Sequence, residues 1–291
     1  MFRSAALAGV IALALGPGSG QSRRVALDAA DCSSINMTFG DAEVARAVQH
    51  ATVPVSAGTL EVRPDANGGV KIERGSGSAY EVTACVAASG RTVDDAQVAA
   101  DSVQMTIEGG RVRVSGPRDG SRLRSWSVQV IVSAPDGAVI DAETTNGPIG
   151  ATGVSGTLTL RASNGPISLH NVSGDVKAHA ANGPISVDGS SGQFDVETSN
   201  GPIGVRLSGR RWDGHLEARA GNGPLTVNVP ADFESGVEIS SSYHAPWSCR
   251  AAACRDGNRD WDDRSRSLRI GRDPVVVRLS TVNGPVTVSD R

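Results

Sequence analysis

Aromatic side chains are scarce in this chain: they make up 3% of its 291 residues, against 39% for all hydrophobic residues. A core so poor in rings has to be thin and filled by valine, isoleucine, leucine and alanine, which suits stacked strands better than a thick α/β core. Charge of one sign is lacking too. The 28 basic and 31 acidic residues leave a formal net charge of −3. Such a balance gives no long-range field for nucleic acid or an anionic membrane, so neither is expected as a partner. Catalytic and metal signatures are missing as well. The histidines, His50, His170, His179, His215 and His244, form neither HxH nor HExxH. No GxSxG stands in a strand–turn–helix context, no CxxC pair occurs, and the turns lack the aspartate of calcium-binding GGxGxD repeats. No cofactor or metal is expected.

The chain opens with Arg3, an apolar run from Ala5 to Leu15 and the small residues Gly16 to Gly20. That run is shorter than the roughly 20 residues needed to span a bilayer, and it has the form of a cleaved export signal. Residues 1–20 are therefore read as a signal peptide. No cysteine follows to carry a lipid anchor, and no second run of membrane length occurs. The mature chain is expected in the periplasm, on the cell surface or secreted. Cys32, Cys85, Cys249 and Cys254 fit an oxidising compartment. Four cysteines allow three connectivities; Cys32–Cys85 together with Cys249–Cys254, which closes the loop CRAAAC, is preferred.

Residues 21–58 are ambiguous. Asp41 to Ala51 reads as a short helix, but Val44, Val48 and Val53 also allow a strand. From Leu60 onward strand signals dominate: Leu60, Val62, Val70 and Ile72 alternate with polar residues, and residues 59–135 read as divergent early rungs. Asn67-Gly68-Gly69 divides the first two strands. Tyr80 to Val86 is the next. Thr92 to Ser102 is a helix candidate, with Thr92 as its cap and Asp94 and Asp95 in the first turn. Val103 to Ile107 and Arg111 to Ser115 form a hairpin about Gly109-Gly110, and Ser125 to Ser133 alternates again.

Residues 136–291 carry what is abundant, a repeat. Asn-Gly-Pro begins at Asn146, Asn164, Asn182, Asn200, Asn222 and Asn283, in steps of 18, 18, 18, 22 and 61 residues. A fixed period of this size marks a repeat architecture. One apolar column holds Ile149, Ile167, Ile185, Ile203 and Leu225; another holds Leu158, Val176, Phe194 and Leu216. Each unit is therefore two short alternating strands and two glycine turns. Such a pair cannot bury its apolar face alone, but stacked copies can. The expectation is an all-β, single-chain β-solenoid of about 18-residue rungs, with one short helix in its N-terminal half. Asparagine should take a left-handed corner, with proline at the strand start. The asparagine side chains should stack as a hydrogen-bonded ladder. The lengthened step reads as a surface bulge at Arg210–Trp212. Val237 to Ile239 continues the strand pattern, 243–273 leaves it as a charged, disulfide-bearing excursion that caps the stack, and Val275 to Val288 returns to it. Trp212, Trp247 and Trp261 are expected to pack against that excursion.

The segments NGPIG (146–150), NGPIS (164–168 and 182–186), NGPIG (200–204), NGPLT (222–226) and NGPVT (283–287) resemble the bacterial putative-adhesin family, over Leu60 to Val288. The resemblance implies an exported or membrane-linked β-solenoid of unknown biochemical role, with no catalytic residues to carry over. The expected function is a non-enzymatic structural or interaction module meeting an envelope protein or a surface glycan; its oligomeric state is open. Two alternatives stand beside it. One is a carbohydrate-active enzyme using Asp195, Glu197 and Glu217, the best acidic cluster in the chain, although Lys177, Arg161 and Arg219 balance it as on any solvated face. The other is a cell-envelope stress or signalling partner. His170 and His179 should simply face solvent.

Overall fold

The computed structural model describes residues 32, 39, 42–64, 68–117, 125–242, 246–255, 259–262 and 266–291, without the side chains of 255 and 259–262. The signal-peptide reading of 1–20 lies outside the described residues. The N-terminal part runs β1 (Glu43–Pro54), a 3₁₀ turn (Val55–Ala57), β2 (Leu60–Pro64), β3 (Gly68–Arg74), β4 (Ala79–Gly90), α1 (Val93–Ser102), β5 (Gln104–Glu108), β6 (Arg111–Ser115) and β7 (Trp126–Ala134). The repeats follow as β8 (Ala138–Asn146), β9 (Ile149–Thr152), β10 (Ser155–Asn164), β11 (Ile167–His170), β12 (Ser173–Asn182), β13 (Ile185–Gly189), β14 (Ser191–Asn200), β15 (Ile203–Leu207), β16 (Asp213–Asn222) and β17 (Leu225–Val229). The chain ends with β18 (Gly236–Ser241), β19 (Trp247–Cys249), α2 (Ala252–Arg255), β20 (Arg259–Asp262), β21 (Ser267–Ile270), β22 (Val275–Asn283) and β23 (Val286–Asp290).

These strands make two long sheets. Sheet A has 12 strands in the order β20-β21-β18-β22-β16-β14-β12-β10-β8-β2-β6-β5. Sheet B has 11, in the order β1-β4-β7-β3-β9-β11-β13-β15-β17-β23-β19. From β8 to β17 the chain alternates between them, one strand in each, and every neighbouring pair is parallel. The register is strict. Leu158 lies opposite Val176, Val176 opposite Phe194 and Phe194 opposite Leu216. Ile149, Ile167, Ile185, Ile203 and Leu225 stack in the other sheet. Period-2 alternation turns these residues inward, and all are buried between the sheets.

The corner is built differently from the expectation. Among described residues only Asn171 and Arg266 combine a side chain with positive φ, so none of the repeat asparagines takes the left-handed conformation. Each ends its strand and pairs with its counterpart in the next rung, from Asn146 through Asn283. The extended backbone keeps the amides in register. Asn164 Nδ2 donates to Asn146 Oδ1 at 3.1 Å, Asn182 to Asn164 at 3.2 Å, Asn200 to Asn182 at 3.1 Å, Asn222 to Asn200 at 3.1 Å and Asn283 to Asn222 at 2.9 Å. The following glycine is required by proximity. A Cβ on Gly165 would stand 2.2 Å from Gly147 O, one on Gly183 2.2 Å from Gly165 O, and one on Gly201 2.2 Å from Gly183 O. Buried threonines tie down the same corners. Thr144, Thr198 and Thr281 donate to the carbonyls of Gly147, Gly183 and Gly223, each at 2.9 Å.

Both ends change character. At the N-terminal end β2 and β3 lie parallel to β8 and β9 as a further rung. Beyond them the pairs β4–β7, β1–β4 and β5–β6 are antiparallel. The ambiguous segment near Asp41 is thus the strand β1, and α1 packs Ala96, Ala99 and Ala100 on Ala45 and Ala88. Thr92 caps α1 by accepting from Asp95 N at 3.1 Å. Buried Gln49 closes the edge of β5: its Nε2 donates to Val103 O and its Oε1 accepts from Met105 N, both at 2.8 Å. One side-chain amide there replaces a neighbouring strand.

The C-terminal end departs from the regular order. β18 does not follow β17 as the next rung. β22 pairs with β16 and β23 with β17, so the returning chain inserts between the last regular rung and β18. Within 243–273 the described strands belong to the sheets. β19 extends sheet B beside β23, while β20 and β21 extend sheet A in antiparallel fashion. Open parallel edges need covering, and these strands supply the cover.

Two outcomes test the corner. Gly183→Ala is expected to cost at least about 2 kcal/mol in urea unfolding, as a forced backbone shift does, whereas Gly204→Ala, where a Cβ meets nothing within 4 Å, should change stability by less than about 0.5 kcal/mol. Similar losses for both would remove the steric account. Asn182→Ala breaks two ladder bonds and should cost about 1–2 kcal/mol, roughly twice the loss for Asn146→Ala at the ladder's end. A shift in urea midpoint independent of position in the ladder would contradict this.

Candidate interaction surfaces

Sheet A turns its polar residues outward in columns. Thr159, Lys177, Asp195 and Glu217 form one, and Arg161, His179, Glu197 and Arg219 the next. The acidic cluster is therefore real as a neighbourhood: Asp195 and Glu197 share a face of β14, and Glu217 lies opposite Asp195. Arg219 sits between two of them, with Nη2 2.6 Å from Asp195 and Nη1 2.5 Å from Glu217. A glycoside-cleaving carboxyl pair faces across a gap that holds a sugar; here a guanidinium fills the gap between Asp195 and Glu217. The same interlacing continues down the sheet. Arg161 and Arg63 both reach Asp141 at 3.0 Å, Arg63 reaches Glu143 at 3.4 Å, and Arg111 reaches Glu61 at 2.8 Å.

The asparagine ladder consumes its own hydrogen bonds. Besides its bond to the neighbouring asparagine, Asn182 Nδ2 donates to Ser163 O at 3.4 Å, and Asn222 Nδ2 to Ser199 O at 3.4 Å. With its donors turned inward to the stack, the ladder is better suited to structure than to recognition.

The lengthened unit is no simple bulge. Trp212 is buried and meets Phe194 of the preceding rung edge-on at 5.5 Å, while its Nε1 donates to Gly192 O at 3.1 Å. It fills the core and does not pack on the excursion, because a ring placed inside the stack buries more apolar area than one laid on its end. The added residues clamp the turn before β18: Arg211 Nε reaches Glu234 at 2.7 Å, Arg210 pairs with the same carboxylate, and Arg211 reaches Asp273 at 3.4 Å. Trp247 is half-buried against the core. The side chain of Trp261 and the site of His244 lie outside the described residues.

The outer face of sheet B holds a cluster that the sequence reading missed. Asp188 Oδ2 lies 3.1 Å from Arg206 Nη1 and 3.5 Å from His170 Nδ1, and its Oδ1 lies 3.5 Å from Arg291 Nη2 and 3.3 Å from Ser208 Oγ. His170 therefore does more than face solvent. The signal was available: His170, Asp188 and Arg206 occupy successive positions at the 18-residue step. Asp188 is only 13% exposed because its partners lie over it. Desolvation pushes its carboxyl up, but the hydrogen bond from Arg206 and the charges of Arg291, Arg206 and His170 outweigh that, and its pKa falls below the ordinary value. Beside the cluster runs a shallow trough lined by Ser168, Ser186, Gly204 and Thr226 together with His170, Asp188, Arg206 and Asn228.

Disulfides join Cys32 to Cys85 and Cys249 to Cys254, with Cα–Cα distances of 5.6 and 6.2 Å. Among the described residues no helix is long and apolar enough to cross a membrane.

The chain is similar to solved bacterial structures described as putative adhesins. One from Bacteroides fragilis shares 8% identity over 85% of this chain and 97% of its own, with a TM-score of 0.42. A putative cell adhesion protein from Clostridium sporogenes shares 10% over 85% and 100%, with a TM-score of 0.34. A structure from Parabacteroides distasonis described as a putative lipid binding protein shares 10% over 84% and 96%, with a TM-score of 0.32. No protein-family model and no curated protein matches the sequence.

A carboxylate held below its ordinary pKa stabilises the fold above the unfolded-state value and loses that effect as the pH falls through the folded value. Asp188→Asn is therefore expected to lower stability at pH 7 by about 1–2 kcal/mol, a modest figure for a charge-assisted hydrogen bond near solvent. The gap to the unmodified protein should close as the pH is taken well below 3.8, the ordinary aspartate value. Urea titrations at both pH values measure it, and a gap that persists in acid would show that charge is not its cause.

Proposed function

We propose that this chain is an exported, non-enzymatic β-solenoid that serves as an adhesin-like interaction module of the cell envelope. Residues 1–20 act in this reading as the export signal. Divergent rungs within 59–135 and the regular rungs of 136–291 form one stack, with a step of about 18 residues in the regular part. The observation that carries the non-catalytic reading is Arg219 lodged between Asp195 and Glu217. The turns between strands there are short and add no long loop around that face. Two disulfides support a life outside the reducing cytoplasm. The long, regular faces suit contact with an extended or repeated partner, an envelope protein or a surface glycan.

Capture of partners from the organism's own cell envelope by the purified chain tests the interaction role, and a retained envelope component is the expected result. Incubation with a panel of envelope and plant polysaccharides should release no new reducing ends. Release that disappears in Asp195→Ala would overturn the non-enzymatic reading in favour of a carbohydrate-active enzyme.

A further inference from the structure

We infer that the trough on the outer face of sheet B holds a carboxylate-bearing polysaccharide, laid along the stack, with Arg206 as its anchor. The inference rests on the reading of the chain as an envelope interaction module and names the ligand class and the place.

The fold does not account for the shape of the trough. A Cβ on Gly204 or on Gly150, three positions away in the same outward column, would meet nothing within 4 Å, and neither glycine has positive φ. This is the opposite of the corner glycines, which neighbouring backbone forbids from carrying a side chain. Packing and backbone strain thus leave the low floor at Gly204 unexplained. Close approach of something outside the chain would explain it.

The wall supplies the chemistry. Arg206 lines the trough and is 54% exposed. Its Nη1 is bonded to Asp188 at 3.1 Å, and among the described residues its Nε and Nη2 make no hydrogen bond. Those two donors form the edge of the guanidinium that matches a carboxylate with two parallel bonds. Asp188 does not cancel the local charge, because Arg291 also faces it. The cluster therefore keeps an excess of positive charge beside the floor.

The floor supplies the register. Ser168, Ser186 and Thr226 place hydroxyls along it at the inter-strand step of about 4.8 Å, so the stretch from Ser168 to Thr226 runs about 14 Å. That length suits a few residues of a linear polymer whose own hydroxyls repeat. A globular protein partner would look for aromatic or aliphatic anchors, and the outward positions of this trough offer hydroxyls, an amide and charges. A single strand of nucleic acid would look for large rings on which to stack, and no phenylalanine, tyrosine or tryptophan lines it.

Isothermal titration calorimetry with tetragalacturonate and with an alginate tetramer, against neutral cellotetraose, tests the inference. At least one acidic oligomer should bind at least tenfold more tightly than cellotetraose, and added salt should weaken it. Gly204→Tyr, which puts a ring into the trough from a position where a Cβ meets nothing within 4 Å, and Arg206→Gln should each weaken binding at least tenfold. Arg161→Gln on sheet A should leave it unchanged. If Arg206→Gln fails to fold, Gly204→Tyr decides alone, its fold checked by thermal unfolding. The inference is overturned if neither acidic oligomer binds, if the neutral one binds as well, or if Gly204→Tyr binds like the unmodified chain. Envelope capture that survives in Gly204→Tyr would overturn this site while leaving the interaction-module reading in place.

Discussion

Stacked rungs meet closely at the corner, where the backbone of one turn lies against the carbonyl of the next. The glycine after each asparagine makes that contact feasible, since a Cβ would stand 2.2 Å from the neighbouring oxygen at Gly165, Gly183 and Gly201. Once corners can touch, the parallel strands on either side fall into register. The asparagine amides come within hydrogen-bonding distance, and the buried threonines reach the corner carbonyls. The apolar columns then close a thin core of valine, isoleucine and leucine. A shift of one residue would turn each column to solvent, so the corner contact and the core enforce the same register.

A stack built in this way grows at both ends unless something stops it. The chain uses different chemistry at each. At the N-terminal end a helix and antiparallel strands replace the rung geometry, and the amide of Gln49 occupies the edge of β5 in place of another strand. At the C-terminal end β18 is laid down first and the last true rung is inserted beneath it. The short strands from 247 to 270 then finish both sheets. Arg210 and Arg211, absent from the shorter units, tie the turn before β18 to the stack through Glu234.

Much of the interior was legible in the sequence because its period is exact in residues. Ile149, Ile167 and Ile185 can be aligned by counting, and the amide ladder follows once like residues are known to stack. The conformation of the corner was not legible. Asparagine and glycine both tolerate a left-handed backbone, and counting cannot tell that tolerance from the need for close approach. The C-terminal order was hidden for a related reason: a strand pattern shows that Val237 to Ile239 belongs to a sheet, not where in the sheet it lies. Trp212 looked like a surface feature because it sits in the lengthened unit, yet the added residues carry its ring into the core against Phe194. The cluster around Asp188 could have been found by carrying the outward columns of the short strands through the same 18-residue step that aligned the long ones.

The two outer faces then differ in what they leave over. On sheet A the strand period sets acids beside arginines, and Arg63, Arg161 and Arg219 each find carboxylates within the face itself. A face that satisfies its own charges has little to gain from a charged ligand, which would have to displace bonds already made. On sheet B a single largely shielded aspartate meets two arginines and a histidine, beside a floor kept low at Gly204 without any demand from packing. The repeat alone would make both faces equally dull. The departures from symmetry in β11, β13 and β15 therefore carry more functional information than the repeat, because the repeat is already explained by stacking.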